Sequence, residues 1–289
     1  MAQDSAAEVA SDPERERLTP RTVATVGVAG WGRMGASMGQ FLVRAGWPVI
    51  GTDPSAEARD AMVAAGARSV GSPAQVAAEV DLVLVIVVDD AQVRQVVSGQ
   101  GGLLESARPG TVIAVCASVR PDTCAQLADE AAGSGVLLID VGLVGGERGA
   151  EQAALKLYCG GDDRAIEACR PAFSAFAIDV CSIGGIGAGQ VGKAVNNLLL
   201  WACLRADVEA LRLGKALGVE PGKLRAFLSV GSGSNRPLTD WGLHRLRWPA
   251  KDLEVSLGLA DDVGLDLPLM RSLPALMDEL TAADLEALR

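Results

Sequence analysis

Apolar residues along this chain recur in two rhythms, and the change from one to the other falls near Gly184. In the first part, short β-branched runs alternate with stretches whose apolar positions keep a helical period. Val23 to Ala29 is such a run and ends at a cluster of glycines; Met34 to Ala45 then reads as a helix. Pro48 to Thr52 predicts a second strand, closed by Asp53-Pro54, and Ala56 to Ala65 a helix that Gly66 caps. Leu82 to Val88 is a near-continuous Val/Leu/Ile run, the type buried on both faces of a parallel sheet. Val112 to Val115 and Val136 to Asp140 predict two further strands, with an Ala-rich helix from about Thr123 to Ala132 between them. Strands alternating with helices imply a doubly wound α/β domain, placed at residues 22–184.

The second rhythm is helical throughout. From Gln190 to Leu217 there is no proline, and Gly192 and Gly214 are the two glycines. Val195, Leu198, Leu199, Ala202 and Leu211 fall at helical spacing, which predicts one helix of about 28 residues and about 42 Å. That length can cross between domains or subunits. Gly222 to Ser229, Leu253 to Val263 and Leu269 to Leu288 also read as helices. Residues 185–289 are therefore expected to form an all-α substrate and dimerisation domain. Residues 1–21, with Asp4, Asp12, Glu14, Glu16, Pro13 and Pro20 and no apolar core, read as a disordered tail.

Composition narrows the partners. A chain of 289 residues with 49% hydrophobic and 21% charged residues has material for two ordinary domains. The formal net charge of -10 argues against nucleic acid, whose phosphates want clustered Lys and Arg. Six cysteines, none in a C-x-x-C pair, and a single histidine, His244, argue against zinc, and no metal is expected. The cysteines read as buried free thiols of a reducing, cytoplasmic setting. His244, beside Arg245 and Arg247, reads as a surface or structural histidine. The most apolar run, Val80 to Val88, is too short to span a bilayer, so no membrane association is expected.

Two segments carry chemistry. Gly30-Trp31-Gly32-Arg33-Met34-Gly35 follows a strand and opens a helix, the context of a Rossmann dinucleotide fingerprint. Its first glycine permits the tight turn, the second lets backbone approach a pyrophosphate, and the third lets the helix pack on the strand. Asp53, 18 residues beyond Gly35, stands where a carboxylate accepts the adenosine ribose hydroxyls. Pro54 follows it where an NADP enzyme often places arginine, so NAD is favoured over NADP, although Arg33 or Arg59 can supply a cation. The second segment is Gly187-Ala188-Gly189-Gln190-Val191-Gly192-Lys193-Ala194-Val195-Asn196-Asn197. Lys193 and Asn197 lie four apart on one helix face, an ammonium that can move a proton beside an amide that can hold an oxygen. An unperturbed lysine titrates at about 10.4, so a base role requires depression by burial in a cleft. Trp201, two turns past Lys193, lines the same pocket or packs in a core.

These residues resemble the β-hydroxyacid dehydrogenase family of 3-hydroxyisobutyrate dehydrogenase, tartronate semialdehyde reductase and glyoxylate reductases. Gly30 to Gly35 matches its G-x-G-x-M-G, Gly187 to Asn197 its G-x-G-x-x-x-K-x-x-N-N, and Lys251-Asp252-Leu253 its K-D-L. Asp140-Val141-Gly142-Leu143-Val144-Gly145-Gly146, then Gly149-Ala150, resembles its D-A-P-V-S-G-G-x-x-G-A substrate loop. The resemblance implies a nicotinamide-dependent dehydrogenase or reductase acting on a small molecule as a homodimer or homotetramer. It implies Lys193 as catalytic acid/base and Asn197 as a substrate-holding amide. It also implies that Lys251 closes over the cofactor, that Ser118 lies near the nicotinamide, and that Gly145 and Gly146 hold a substrate carboxylate by backbone N–H groups. The chain departs from the pattern at Val144 (family serine), Leu143 (proline), Ala117 (serine) and Val115 (aspartate), which makes the substrate pocket less polar. The related 6-phosphogluconate dehydrogenases carry histidine where Asn196 stands. Two other readings share the scaffold: an imine reductase, which commonly lacks the lysine, and a non-catalytic dinucleotide-binding protein, suggested by the loss at Val144.

Overall fold

The computed structural model describes residues 18–243 and 246–289. Most of the expected tail, residues 1–17, and His244 lie outside the described residues. Residues 18–21 are described and join the sheet domain. Arg21 N donates to Gly110 O (2.8 Å), and its Nε donates to Asp81 Oδ1 (2.9 Å). Asp81 is nearly buried and also accepts from Arg108 Nη2, from the Ala24 and Thr25 amides and from the Thr25 hydroxyl. Burial alone would raise its pKa, but the Arg21 guanidinium and these donors hold it below the usual carboxylate range.

Eight strands form one sheet: β1 (Val26–Ala29), β2 (Val49–Thr52), β3 (Arg68–Ser69), β4 (Leu82–Val85), β5 (Val112–Val115), β6 (Leu137–Val144), β7 (Leu155–Gly160) and β8 (Ala177–Gly184). Their order is β3-β2-β1-β4-β5-β6-β7-β8. Every residue of β1, β2, β4 and β5 is buried, as continuous Val/Leu/Ile runs demand when helices cover both faces. The chain leaves β1 towards β2 and β3, then returns to β4 on the other side of β1. That reversal makes a crevice beyond the C-terminal ends of β1 and β4, where doubly wound sheets bind ligands. All pairings are parallel except β6 with β7. The sequence pattern does not predict β7, β8 or the helix Asp163–Phe173 between them. β6 also runs on through Val144, so most of the expected substrate loop is a strand, and the turn begins at Gly145.

The helix expected from Gln190 to Leu217 spans Ala188–Ala216. Packing divides the chain into two compact units within this helix, at Gly192–Lys193. The second unit is helical among its described residues, as expected. Its core joins Leu198, Trp201, Leu204, Val208 and Leu211 of the long helix to Trp241, Leu253 and Met277. The single helix expected over 269–288 is instead three: Pro268–Arg271, Leu273–Asp278 and Ala282–Glu286. Pro274, which has no N–H, fixes the start of the middle one. Thr281 and Asp284 form a reciprocal capping box that restarts the chain for the last. All six cysteines are free and four are buried. No helix among the described residues is long and apolar enough to cross a membrane.

Candidate active site

The glycine turn after β1 is shaped as its spacing predicts. Gly30 has φ +101°, and a Cβ there would lie 2.2 Å from the Ile86 carbonyl oxygen. A Cβ on Gly35 would lie 2.0 Å from Gly30 O, so the helix Arg33–Arg44 packs directly on the turn. Gly32 differs: a Cβ there would meet nothing within 4 Å. Its open side faces away from protein, and no side chain caps the amides of the helix's first turn. Backbone N–H groups with space before them are what a dinucleotide pyrophosphate requires, so the residues fit that group. Trp31 contributes backbone only, because its indole is buried in the sheet core against Gly39. Met34 is half-buried against that core, and Arg33 lies at the surface with Nε 3.2 Å from Glu147 Oε1.

Asp53 stands at the end of β2 with both carboxylate oxygens oriented by backbone. Oδ2 accepts from Trp31 N (2.7 Å) and Oδ1 from Ser55 N (2.9 Å). One side chain thus ties the β2 turn to the glycine turn. Arg59, in the next helix (Ala56–Ala64), folds back so that Nη1 donates to the carbonyls of Asp53 (2.6 Å) and Pro54 (2.9 Å).

Beyond β5, Ser118 is half-buried between two buried residues, Ala117 and Val119. The Gln190 side chain grips the backbone on both sides of it. Nε2 donates to Ala117 O (3.0 Å), and Oε1 accepts from Val119 N (3.3 Å). Gln190 N in turn donates to Oδ2 of Asp140 (2.8 Å), and Gly187 N donates to its Oδ1 (2.6 Å). Asp140 is fully buried within β6 and caps the long helix from another element. Burial pushes its pKa up, against the pull of the amides it accepts from. Val144 is half-buried at the end of β6, and Gly145 and Gly146, with φ +118° and +60°, are exposed beyond it.

In the second unit, Lys193, Asn197 and Trp201 occupy one face of the long helix, as their spacing of four predicts. The structure adds Asp252, to which the sequence reading gives no role. Trp201 Nε1 donates to Asp252 Oδ2 (3.1 Å), Asn197 hydrogen-bonds the same carboxylate, and the charges of Lys193 and Lys251 act on it. Burial raises the Asp252 pKa, while the Trp201 bond and the Lys193 charge oppose that rise. Ser256 Oγ, one turn on, has its one hydrogen within reach of two carbonyls, Asp252 O (2.8 Å) in its own helix and Ala194 O (3.1 Å) in the long one, which links the helix Pro249–Asp262 to the long helix. Trp201 is 4% exposed and belongs to the core through its ring. Lys251 is exposed. Asn196 Nδ2 donates to Asn197 Oδ1 (3.3 Å), which turns the Asn197 amide so that its N–H₂ serves the carboxylate. Asp252 was signalled only by its place beside Lys251. Gln190 and Asp140 stand inside the quoted motifs, but nothing local in the sequence signals the roles they take.

Known proteins carry the same two-part pattern. The family model of the NAD binding domain of 6-phosphogluconate dehydrogenase matches residues 25–195. That of the NAD-binding domain of NADP-dependent 3-hydroxyisobutyrate dehydrogenase matches residues 187–288. The chain is 33% identical over 221 residues to the NAD-dependent L-serine dehydrogenase of Pseudomonas aeruginosa, covering 76% of this chain and 72% of that one. It is 30% identical over 208 residues to a protein of Dictyostelium discoideum named a probable mitochondrial 3-hydroxyisobutyrate dehydrogenase, covering 72% of this chain and 65% of that one's length. The solved structure of Mycobacterium tuberculosis 3-hydroxyisobutyrate dehydrogenase with L-serine superimposes with a TM-score of 0.81 at 26% identity, covering 92% of this chain and 99% of that one.

Proposed function

Because this chain belongs to the β-hydroxyacid dehydrogenase family, we propose that it moves a hydride between a nicotinamide dinucleotide and a hydroxy acid or related alcohol, with Lys193 handling the proton. The dinucleotide, when bound, supplies or accepts the hydride. Gly30, Gly32 and Gly35, with the first-turn amides of Arg33 and Met34, hold its pyrophosphate. Asp53 accepts from the ribose hydroxyls, Ser118 borders the nicotinamide, and Lys251 approaches the cofactor. Neutral Lys193 accepts the substrate hydroxyl proton in oxidation, and its ammonium returns that proton in reduction. Asn197 holds the substrate oxygen, and Trp201 keeps Asp252 in place. The observation that carries this reading is the convergence of Asn197, Trp201 and the Lys193 charge on one partly buried carboxylate, Asp252. A surface lysine needs no such support.

NAD(H) is the preferred cofactor in this proposal, since a fixed Asp53 carboxylate repels a 2′-phosphate. Gly145 and Gly146 hold a substrate carboxylate by backbone N–H groups, and Val144 offers no hydroxyl beside them, so a bulkier or less polar alcohol is favoured over the simplest hydroxy acids. The long helix supports a homodimer or homotetramer: Val195, Leu199 and Leu213 lie on one side and are 49%, 53% and 62% exposed. No observation favours an imine reductase or a non-catalytic protein over this reading, and Lys193 with Asn197 speaks for the dehydrogenase. Lys193→Ala tests it. Turnover should fall about 10²–10⁴-fold, the contribution of a positioned acid or base, with NADH affinity nearly unchanged. A near-normal kcat in Lys193→Ala refutes the assignment.

A further inference from the structure

Three segments that the proposed function brings to one reaction meet, within the first unit, at a single side chain. Gln190 stands in the first turn of the long helix, three residues before Lys193, and is 4% exposed. Its amide meets the loop after β5 as a neighbouring strand would. Nε2 donates to Ala117 O (3.0 Å) and Oε1 accepts from Val119 N (3.3 Å), one bond on each side of Ser118. Its backbone N donates to Asp140 (2.8 Å) in β6, the strand that ends in Val144 before Gly145 and Gly146. The seat is close: a Cβ on Gly189 would lie 2.4 Å from Tyr158 O and 2.7 Å from Asp140 O, so the first turn lies directly on the backbone of β6 and β7.

The loop asks one buried group to donate to a carbonyl and to accept from an amide two residues on. A side-chain amide does both, from two separate atoms, with no charge to bury. An apolar side chain of the same volume would fill the space but leave the register of loop against helix to packing alone. Two bonds flanking Ser118 set both its position and its orientation. We infer that Gln190 is a positioning residue for hydride transfer: it holds the 117–119 loop in register with the turn from which Lys193 continues. The inference rests on the dehydrogenase reading above, in which Ser118 borders the nicotinamide and Lys193 handles the proton. Gln190 acts through the loop and the helix, since both atoms of its amide are bonded to backbone. A misplacement of about 1 Å between reacting groups costs about 100-fold in rate, while binding, spread over many contacts, changes little.

The test is single-turnover hydride transfer in the full-length protein, followed as the absorbance of the reduced dinucleotide after mixing with NAD⁺ or NADP⁺. The probes are L-serine, 3-hydroxyisobutyrate and the bulkier 2-benzyl-3-hydroxypropanoate, each also dideuterated at the carbinol carbon. Rates are taken per dinucleotide-binding site, so that unfolded protein does not count. Gln190→Met should slow the deuterium-sensitive step about 10- to 100-fold. It should leave the KM of the probe and the Kd of the reduced dinucleotide within about threefold, the pattern of an interaction that serves the transition state alone. Gln190→Glu, whose carboxylate still accepts from Val119 N, should fall between wild type and Gln190→Met; it serves if the methionine variant does not fold. A hydride-transfer rate within about twofold of wild type overturns the inference and leaves Gln190 a prop of the fold. A loss that deuterium does not affect overturns it too, by placing the damage in closure. A loss matched by an equal loss of dinucleotide affinity overturns it by placing the damage in the cofactor site. A wild type that oxidises none of the probes removes the proposed activity and the inference with it, whereas an active wild type with an unchanged Gln190→Met removes the inference alone.

Discussion

Gln190 is the point where the first turn of the long helix is fastened to the loop that carries Ser118, and its removal has a calculable cost. Gln190→Met keeps length and volume but loses the bonds to Ala117 O and Val119 N. Ala117 and Val119 are 3% and 4% exposed, so water cannot replace the lost partners without local opening. Two neutral hydrogen bonds contribute about 1 kcal/mol each, and each orphaned buried group costs about 1–3 kcal/mol, part of it relieved by relaxation. We expect a loss of about 2–4 kcal/mol, or about 4–16 °C in Tm for a unit of this size. Gln190→Glu is more informative. The introduced carboxyl still accepts from Val119 N, but it can donate to Ala117 O only when protonated. Burial and that demand raise its folded pKa above the unfolded value of about 4.3. A native state that keeps a proton the unfolded chain has released loses stability as pH rises through that window, by up to about 1.4 kcal/mol per pH unit. Urea denaturation of wild type, Gln190→Met and Gln190→Glu at about pH 5 and pH 8 checks this. Gln190→Glu should lie close to wild type at the lower pH and approach Gln190→Met at the higher. If the wild-type and Gln190→Glu curves keep a constant separation across that range, the clamp is not what the hydrogen bonds describe.

Two further outcomes follow from other sites. Asp81→Asn should cost about 2–3 kcal/mol, less than the usual 3–5 for a fully buried pair because Arg21 and Arg108 are each 39% exposed. The lowered native pKa of Asp81 makes its contribution fully present above the unfolded pKa and lost as pH falls through the folded one. The variant's stability curve should therefore be flatter on the acid side, and an equally steep acid limb would refute this. Val144→Ser should raise kcat/KM for 3-hydroxyisobutyrate about ten- to a hundredfold relative to bulkier alcohols, by pairing an otherwise unmet carboxylate oxygen; no change in that ratio counts against the pocket reading.

What the sequence reveals is what local physics decides. The runs at Val112–Val115 and Leu82–Val85 are legible because a strand buried on both faces has no polar position to blur it. The glycine turn is legible because Gly30 and Gly35 answer to steric contacts within a few residues of each other and of β4. Lys193 and Asn197 are legible as a pair because a helix fixes their spacing. β8 is hard to read because Ile178 and Asp179 are both exposed on an edge strand, leaving no clean alternation. Asp140 and Gln190 are fifty positions apart, and Gln190 and Ala117 seventy-three; no periodicity joins residues across such distances. Asp252 stood in a recognised motif, but its connection to Trp201 exists only once two helices have packed. Residues 269–288 read as one helix rather than three because their apolar spacing continues across the interruptions at Pro274 and the Thr281 box.

The Trp31 indole has a consequence for how the sequence can drift. It fills the seam between the first helix and the sheet only because residue 39 is glycine; a Cβ there would stand 2.2 Å from the ring. The two positions are therefore bound as one mutational unit. A lineage cannot gain a side chain at 39 while it keeps tryptophan at 31, and losing the tryptophan alone leaves a void under the dinucleotide turn. Viable descendants pass through paired exchange, large-and-glycine for small-and-alanine, with the seam volume held constant. Position 31 lies inside the fingerprint at one of the residues the fingerprint leaves unspecified. Its freedom is limited from eight residues away, by packing rather than by the ligand.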